Sequence, residues 1–111
     1  MDNLKNDNYY AEKAIEQINV INDYVKSKSY EDFICDNQLV DAVMFRLIQM
    51  IENIRKISTN FKTKNPQIPW GKIIGFRNGI VHEYGKTDYT IVYEVITENL
   101  NQLKEVLSSI I

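Results

Sequence analysis

Cysteine and histidine occur once each in this chain, proline twice and glycine four times, in 111 residues. A lone cysteine, Cys35, cannot form an internal disulfide and fits a reducing compartment, where it is expected to be an inert, partly buried thiol. Together, Cys35 and His82 are also too few to make a Cys/His zinc set, so neither a metal site nor a cofactor is expected. No apolar run approaches the roughly 18 residues needed to cross a bilayer. The opening stretch MDNLKNDNYY is polar. No membrane span and no signal peptide are therefore expected, and the cytoplasm is the expected location.

Acidic residues are missing from one long stretch. Between Asn53 and His82 there is no Asp or Glu, while Arg55, Lys56, Lys62, Lys64, Lys72 and Arg77 give that segment a charge of +6. The other 81 residues carry 7 basic and 15 acidic side chains, so the whole chain is only mildly acidic at −2. A block of one sign inside a chain of the other points to an anionic partner or to a solvated basic face. With 44% hydrophobic and 25% charged residues the composition is that of a soluble globular protein, and the length fits one domain over 1–111.

What is present is apolar spacing of three and four, with no strand alternation, repeat or low-complexity segment. Ala11, Ala14, Ile15, Ile18, Ile21 and Val25 make one stripe. Ser29 can cap a short turn through YEDFIC. Val40, Val43, Met44, Leu47, Ile48, Ile51 and Ile54 mark a long helix starting near Asp36 or Asn37. The stretch STNFKTKNPQIP reads as a polar connection. Pro69 suits the first turn of a helix from about Trp70 to Tyr84, and Gly85 a left-handed stop behind it. Asp88 then caps a closing helical region with Val92, Val95, Ile96, Leu100, Leu103, Leu107 and Ile110 facing inward. The expectation is an all-α bundle of four to five helices.

Around the axis of the fourth helix, at about 100° per residue, Ile73, Ile74, Phe76, Ile80 and Val81 define an apolar face. Arg77 and Tyr84 fall at its centre. A guanidinium there needs a partner or a polar cavity. It can bridge to a helix-borne acid such as Asp41 or Glu52, snorkel outward, or serve a site. Gly71, Gly75 and Gly79 line another side, near Asn78 and His82. Each interior glycine costs about 1 kcal/mol against alanine, so this smooth edge is either tolerated on a solvated face or used for close approach by a second subunit. Arg77 and His82 point about 140° apart on the wheel. One histidine per chain is a thin catalytic inventory, and two chains meeting at the motif would double it, which favours a dimer.

FRNGIVHEY resembles the R-N-x-x-x-H-x-Y signature of HEPN-domain proteins of the HepT-like branch, small toxin ribonucleases. NQLVDAVMFRLIQMIENIRKIS is similar to that branch's long helix, NPQIPWGKIIGFRNGIVHEYG to its Pro-Trp and motif block, and TDYTIVYEVITENLNQLKEVL to its closing helix. The likeness covers about residues 36 to 107. The chain departs from it at Ile51 and Asn53, where the family usually reads Gly-Glu-Ala and only the acid, Glu52, is kept, and at Gly79, where relatives commonly carry a larger or basic residue.

The resemblance implies an all-helical HEPN-like homodimer whose motifs face a shared cleft and cut RNA without a metal. It implies catalytic roles for Arg77, Asn78 and His82. It also implies a minimal nucleotidyltransferase antitoxin as partner, which adds nucleotide to the motif tyrosine, Tyr84. Lys62, Lys64 and Lys72 are the candidate RNA-binding cations. The residue chemistry suits cleavage by the RNA's own 2′-hydroxyl: histidine moves protons and arginine offers a fixed fork to phosphate oxygens. His82 lies in the last helical turn, where the macrodipole favours a cation, which points to general acid. Two other readings remain open. The chain can be a non-catalytic helical subunit that helps a nucleotidyltransferase hold its substrate, or a bundle in which Arg77 is only an ion-pair member.

Overall fold

The computed structural model describes residues 6–111; the first five residues, the start of the polar opening stretch read above as lacking a leader, lie outside the described residues. Helix α1 spans Asp7–Val25 and begins at Asn6, whose side chain accepts from the Tyr9 N–H. It buries Ala11, Ala14, Ile18, Ile21 and Val25, the expected stripe with Ile15 half-buried at its edge. Its chief packing partner is α3.

Helix α2, Tyr30–Ile34, is one turn long and stands on a capping box in which Ser29 and Asp32 satisfy each other's backbone N–H. It delivers Phe33 into the core. Before it, Ser27 takes a left-handed φ of 62°, a conformation a serine adopts at some cost, to turn the chain out of α1. Helix α3, Asn37–Arg55, starts at Asp36, which caps the Leu39 N–H. Val40, Val43, Met44, Leu47, Met50, Ile51 and Ile54 are buried along it.

The stretch expected to be a polar connection contains a helix, α4, Thr59–Lys64. Ser58 caps it by accepting from Phe61, and Ser58 is itself held from far away: its N–H and hydroxyl donate to Asp7 at 2.8 and 2.6 Å. Trp70 locks the other end, donating its indole N–H to the carbonyls of Asn65 and Lys62 at 2.9 and 3.1 Å with its ring edge-on to Phe61. This clasp aims the following helix.

Helix α5 runs Trp70–His82, two residues shorter than expected, with Pro69 at its N-cap. Gly85 is not a left-handed stop, since no glycine among the described residues has positive φ. The helix breaks instead at Glu83 (φ −139°, ψ 47°), and Tyr84–Lys86 form a single tight 3-10 turn. Asp88 then caps α6, Tyr89–Glu94, as its sequence position suggests. A π turn at Val95–Asn99 joins α6 to α7, Leu100–Ser108, with the backbone right-handed helical through both joins. Val92, Ile96, Leu100, Leu103 and Leu107 are buried on this closing rod. The product is an all-α bundle of α1, α3, α5 and the α6–α7 rod with two short helices at its corners. No helix among the described residues is long and apolar enough to cross a membrane.

Candidate functional site

Helix α5 packs chiefly on α3, and its expected buried face is only partly covered. Trp70 and Ile80 are buried, Ile73, Ile74 and Phe76 are half-buried, and Val81 is 46% exposed, contrary to its place on the wheel. Apolar surface is also left open on the side of α5 away from Val81. An apolar groove of about 300 Å³, lined among others by Leu47, Met50, Ile73, Phe76, Val95 and Leu103, separates α5 from the closing rod. A smaller one of about 220 Å³ adjoins it at Phe76 and Ile91. Helix α5 thus lies along one edge of the bundle rather than inside it.

Arg77 is accounted for by α3. Its Nε stands 2.6 Å from Glu52 Oε2, with the two side chains 25% and 30% exposed. The Nε is shut off from water but its N–H is not aligned for a hydrogen bond, so the contact is a charge pair that leaves that donor unmatched. Glu52 Oε1 also accepts from Arg55 Nη1 at 3.1 Å, and Arg77 Nη1 donates to Asn78 Oδ1 at 3.2 Å. Of the two acids named as partners for Arg77, Glu52 is the one that takes it.

Asp41 takes Tyr84 instead. The tyrosine hydroxyl donates to Asp41 Oδ1, although 40% of the residue remains exposed. Desolvation at the packed end of the ring, and then the carboxylate beside the hydroxyl, hold the phenol well above the ordinary tyrosine range. Glu52 pairs with Arg77 and Asp41 with Tyr84, so the order of contacts reverses and α5 runs antiparallel to α3. On α3, Asp41, Phe45, Ile48 and Glu52 fall at i, i+4, i+7 and i+11, one face of the helix. Phe45 is 56% exposed, so apolar surface reaches the solvent on the face that carries both acids.

His82 is exposed, in the last turn of α5, and its ring makes no hydrogen bond or ion pair among the described residues. No polar contact joins it to Arg77 within the chain. The three glycines present an open edge: a Cβ built at Gly71, Gly75 or Gly79 would meet nothing within 4 Å. The basic residues disperse. Lys64 and Lys72 are exposed, whereas Lys62 is half-buried and its Nζ leans 3.4 Å from the Arg55 carbonyl oxygen. Burial lowers the Lys62 pKa, Asp7 opposes that shift, and Arg55 adds to it. Cys35, expected to be partly buried, is exposed because α2 is too short to cover it. No three His, Cys, Asp or Glu side chains gather as a metal-binding group among the described residues.

The architecture defines a class, a helical bundle that carries an arginine and a histidine on an edge helix beside a supporting acid. A family model, Ribonuclease HepT-like, matches residues 14–110, and the chain belongs to that family. It is 30% identical over 95 residues to a protein named a probable ribonuclease HepT from Thermococcus cleftensis, covering 86% of each chain. It is 28% identical over 108 residues to a protein named as a candidate RNase from Caldanaerobacter subterraneus subsp. tengcongensis, covering 97% of this chain and 96% of the relative. Another candidate RNase, from Methanocaldococcus jannaschii, is 28% identical over 92 residues, 82% of this chain and 84% of the relative. No solved structure matches the chain. Family and relatives together support ribonuclease function.

Proposed function

We propose that this chain is a metal-independent endoribonuclease, the toxin of a toxin–antitoxin pair, acting as a cytoplasmic homodimer. In this reading the motifs of two chains border one cleft, and the partner is a minimal nucleotidyltransferase that silences the toxin by adding nucleotide to Tyr84. The observation that carries it is the placing of Arg77. In a chain of the HepT-like ribonuclease family, its guanidinium is anchored at one end by Glu52 and remains partly exposed on an edge helix.

The chemistry follows from the groups. The 2′-hydroxyl oxygen attacks the adjacent phosphorus, the bond to the 5′-oxygen breaks, and a 2′,3′-cyclic phosphate and a 5′-hydroxyl result. Arg77 stabilises the crowded phosphorane, with Asn78 steadying one arm of its fork. His82 protonates the departing 5′-oxygen. The Arg77–Glu52 pair also favours a second reading, in which Arg77 is structural and the chain is a non-catalytic subunit of a nucleotidyltransferase.

The experiment is RNA cleavage in the presence of chelator. Wild-type protein should cut and leave cyclic phosphate ends. His82→Ala should lose about a hundredfold to ten-thousandfold and Arg77→Ala about a hundredfold to a thousandfold. Normal cutting by His82→Ala, or cutting that chelator abolishes, overturns the mechanism.

A further inference from the structure

The segment after α5 has little to hold it. The helix closes at Glu83 through a backbone bond alone, its N–H donating to the Gly79 carbonyl at 2.9 Å. The next turn is stitched by its own backbone, Lys86 N–H to the Glu83 carbonyl at 2.8 Å and Thr87 N–H to the Tyr84 carbonyl at 3.2 Å. The Thr87 hydroxyl is buried without a partner, and His82, Glu83, Gly85 and Lys86 are exposed. Among the described residues, the Tyr84–Asp41 hydrogen bond is the one that ties residues 82–87 to α3. Its other end is firm. Asp41 sits in the second turn of a nineteen-residue helix, between the buried Val40 and Val43 and behind the Asp36 cap.

We propose that Asp41 is a positioning residue for the candidate cleavage site: by accepting the Tyr84 hydrogen bond it fixes the turn after α5 and, through it, the His82 imidazole. The proposal rests on the ribonuclease reading. Because the His82 ring has no polar contact of its own among the described residues, its position is inherited from the backbone, and one residue, Glu83, separates it from the tie. Arg77 is fixed by Glu52 one helical stretch earlier, so α3 supplies both supports from one face, three turns apart. A phenylalanine at position 84 would fill the same space and lose the tie together with the hydroxyl's contact to Tyr89, which lies outside α3.

The same bond explains how a group on the Tyr84 oxygen would act. In nucleotidyl transfer from a nucleoside triphosphate, the phenol oxygen bonds to the α-phosphorus, pyrophosphate leaves, and the phenol proton passes by way of Asp41 to solvent, which leaves Asp41 a carboxylate again. The product oxygen has no proton to donate and carries an anionic phosphodiester beside a carboxylate. The tie is broken, and His82 is released without any need for the nucleotide to block the cleft.

A chain with a single histidine gives a single imidazole signal set, so histidine-selective ¹⁵N labelling reports on His82 alone. That signal and single-turnover RNA cleavage are measured for wild type, Tyr84→Phe, Asp41→Ala, Asp41→Asn and the Asp41→Ala/Tyr84→Phe double variant. Tyr84→Phe and Asp41→Ala should each move or broaden the His82 signal and slow cleavage by on the order of a hundredfold, with RNA affinity within about twofold, as a misplaced group does. Asp41→Asn, whose amide oxygen still accepts, should restore most of both, and the double variant should be no worse than either single change. An unmoved His82 signal in Tyr84→Phe and Asp41→Ala overturns the proposal, as does an additive double variant. If wild type cuts no RNA, the nuclease reading fails and the His82 signal still decides whether Asp41 positions the ring.

Discussion

Arg77 Nε and Glu52 Oε2 face each other at 2.6 Å across the α3–α5 seam, with Arg55 Nη1 3.1 Å from the other oxygen of the same carboxylate. Glu52 is thus shared between two arginines, one pointing to solvent and one on the motif helix. A shared carboxylate neutralises only part of the Arg77 charge, and the remaining arms of the fork stay available to an anion. The acid therefore answers the cost of a guanidinium on an apolar face without removing the group from use.

Truncating that pair should cost stability. Both side chains are about three-quarters shielded, between the exposed and the fully buried cases, so Arg77→Ala should lose about 1–3 kcal/mol. His82→Ala, at an exposed position without a polar partner, should stay within about 0.5 kcal/mol of wild type. Thermal or urea unfolding of the two variants checks this. Equal melting of both would mean that the Glu52 contact contributes nothing to folding.

The lysines should differ in their contribution to RNA binding. Lys64 and Lys72 are exposed, whereas Lys62 is half-buried with its ammonium turned to a backbone carbonyl. Replacing Lys64 and Lys72 together with alanine should flatten the log–log salt dependence of single-stranded RNA affinity by about 1 to 2, at every sequence. Lys62→Ala should change it less. A double variant with an unaltered salt slope would make the basic segment a solvated face.

Association is the third expectation. Gly71, Gly75 and Gly79 leave an edge of α5 open, and Phe45 and Val81 expose apolar surface at 56% and 46%. Sedimentation equilibrium should find a dimer at micromolar concentration, and Phe45→Glu or Val81→Glu should weaken it. A monomer in the unmodified protein would remove the shared-cleft arrangement.

The long elements were legible because their signals are local. Asp36, Ser29 and Asp88 are caps recognisable by residue type, and the buried stripes of α1 and α3 follow helical spacing. The HepT-like likeness of the motif block is matched by the family model over 14–110. What local pattern could not give depends on distant partners. Helix α4 forms in a polar stretch because Asp7, 51 residues away, holds its cap, and because Trp70 clamps its end. Val81 looks buried on a wheel that assumes a neighbour on every apolar side, but α5 packs chiefly on α3 and Val81 is left 46% exposed. Met50 is buried beyond the expected stripe. Two acids were named for Arg77, and only the tertiary pairing separates Glu52 from Asp41.

The π turn at Val95–Asn99 gives the closing rod an unusual tolerance and an unusual weakness. Buried positions Val92, Ile96 and Leu100 repeat every four residues, a spacing that would drift around an ordinary α-helix by about 40° at each step. The wider turn takes up that drift, so that Leu103 and Leu107 are still buried on a helix that packs on α1. Residue count is therefore part of the information in this segment, independent of residue type. Loss of one codon between positions 95 and 99 would close the wide turn into an ordinary α-helical one and keep the last leucines in phase, whereas the same loss inside α7 would rotate the residues after it by about 100° and turn Leu107 towards water.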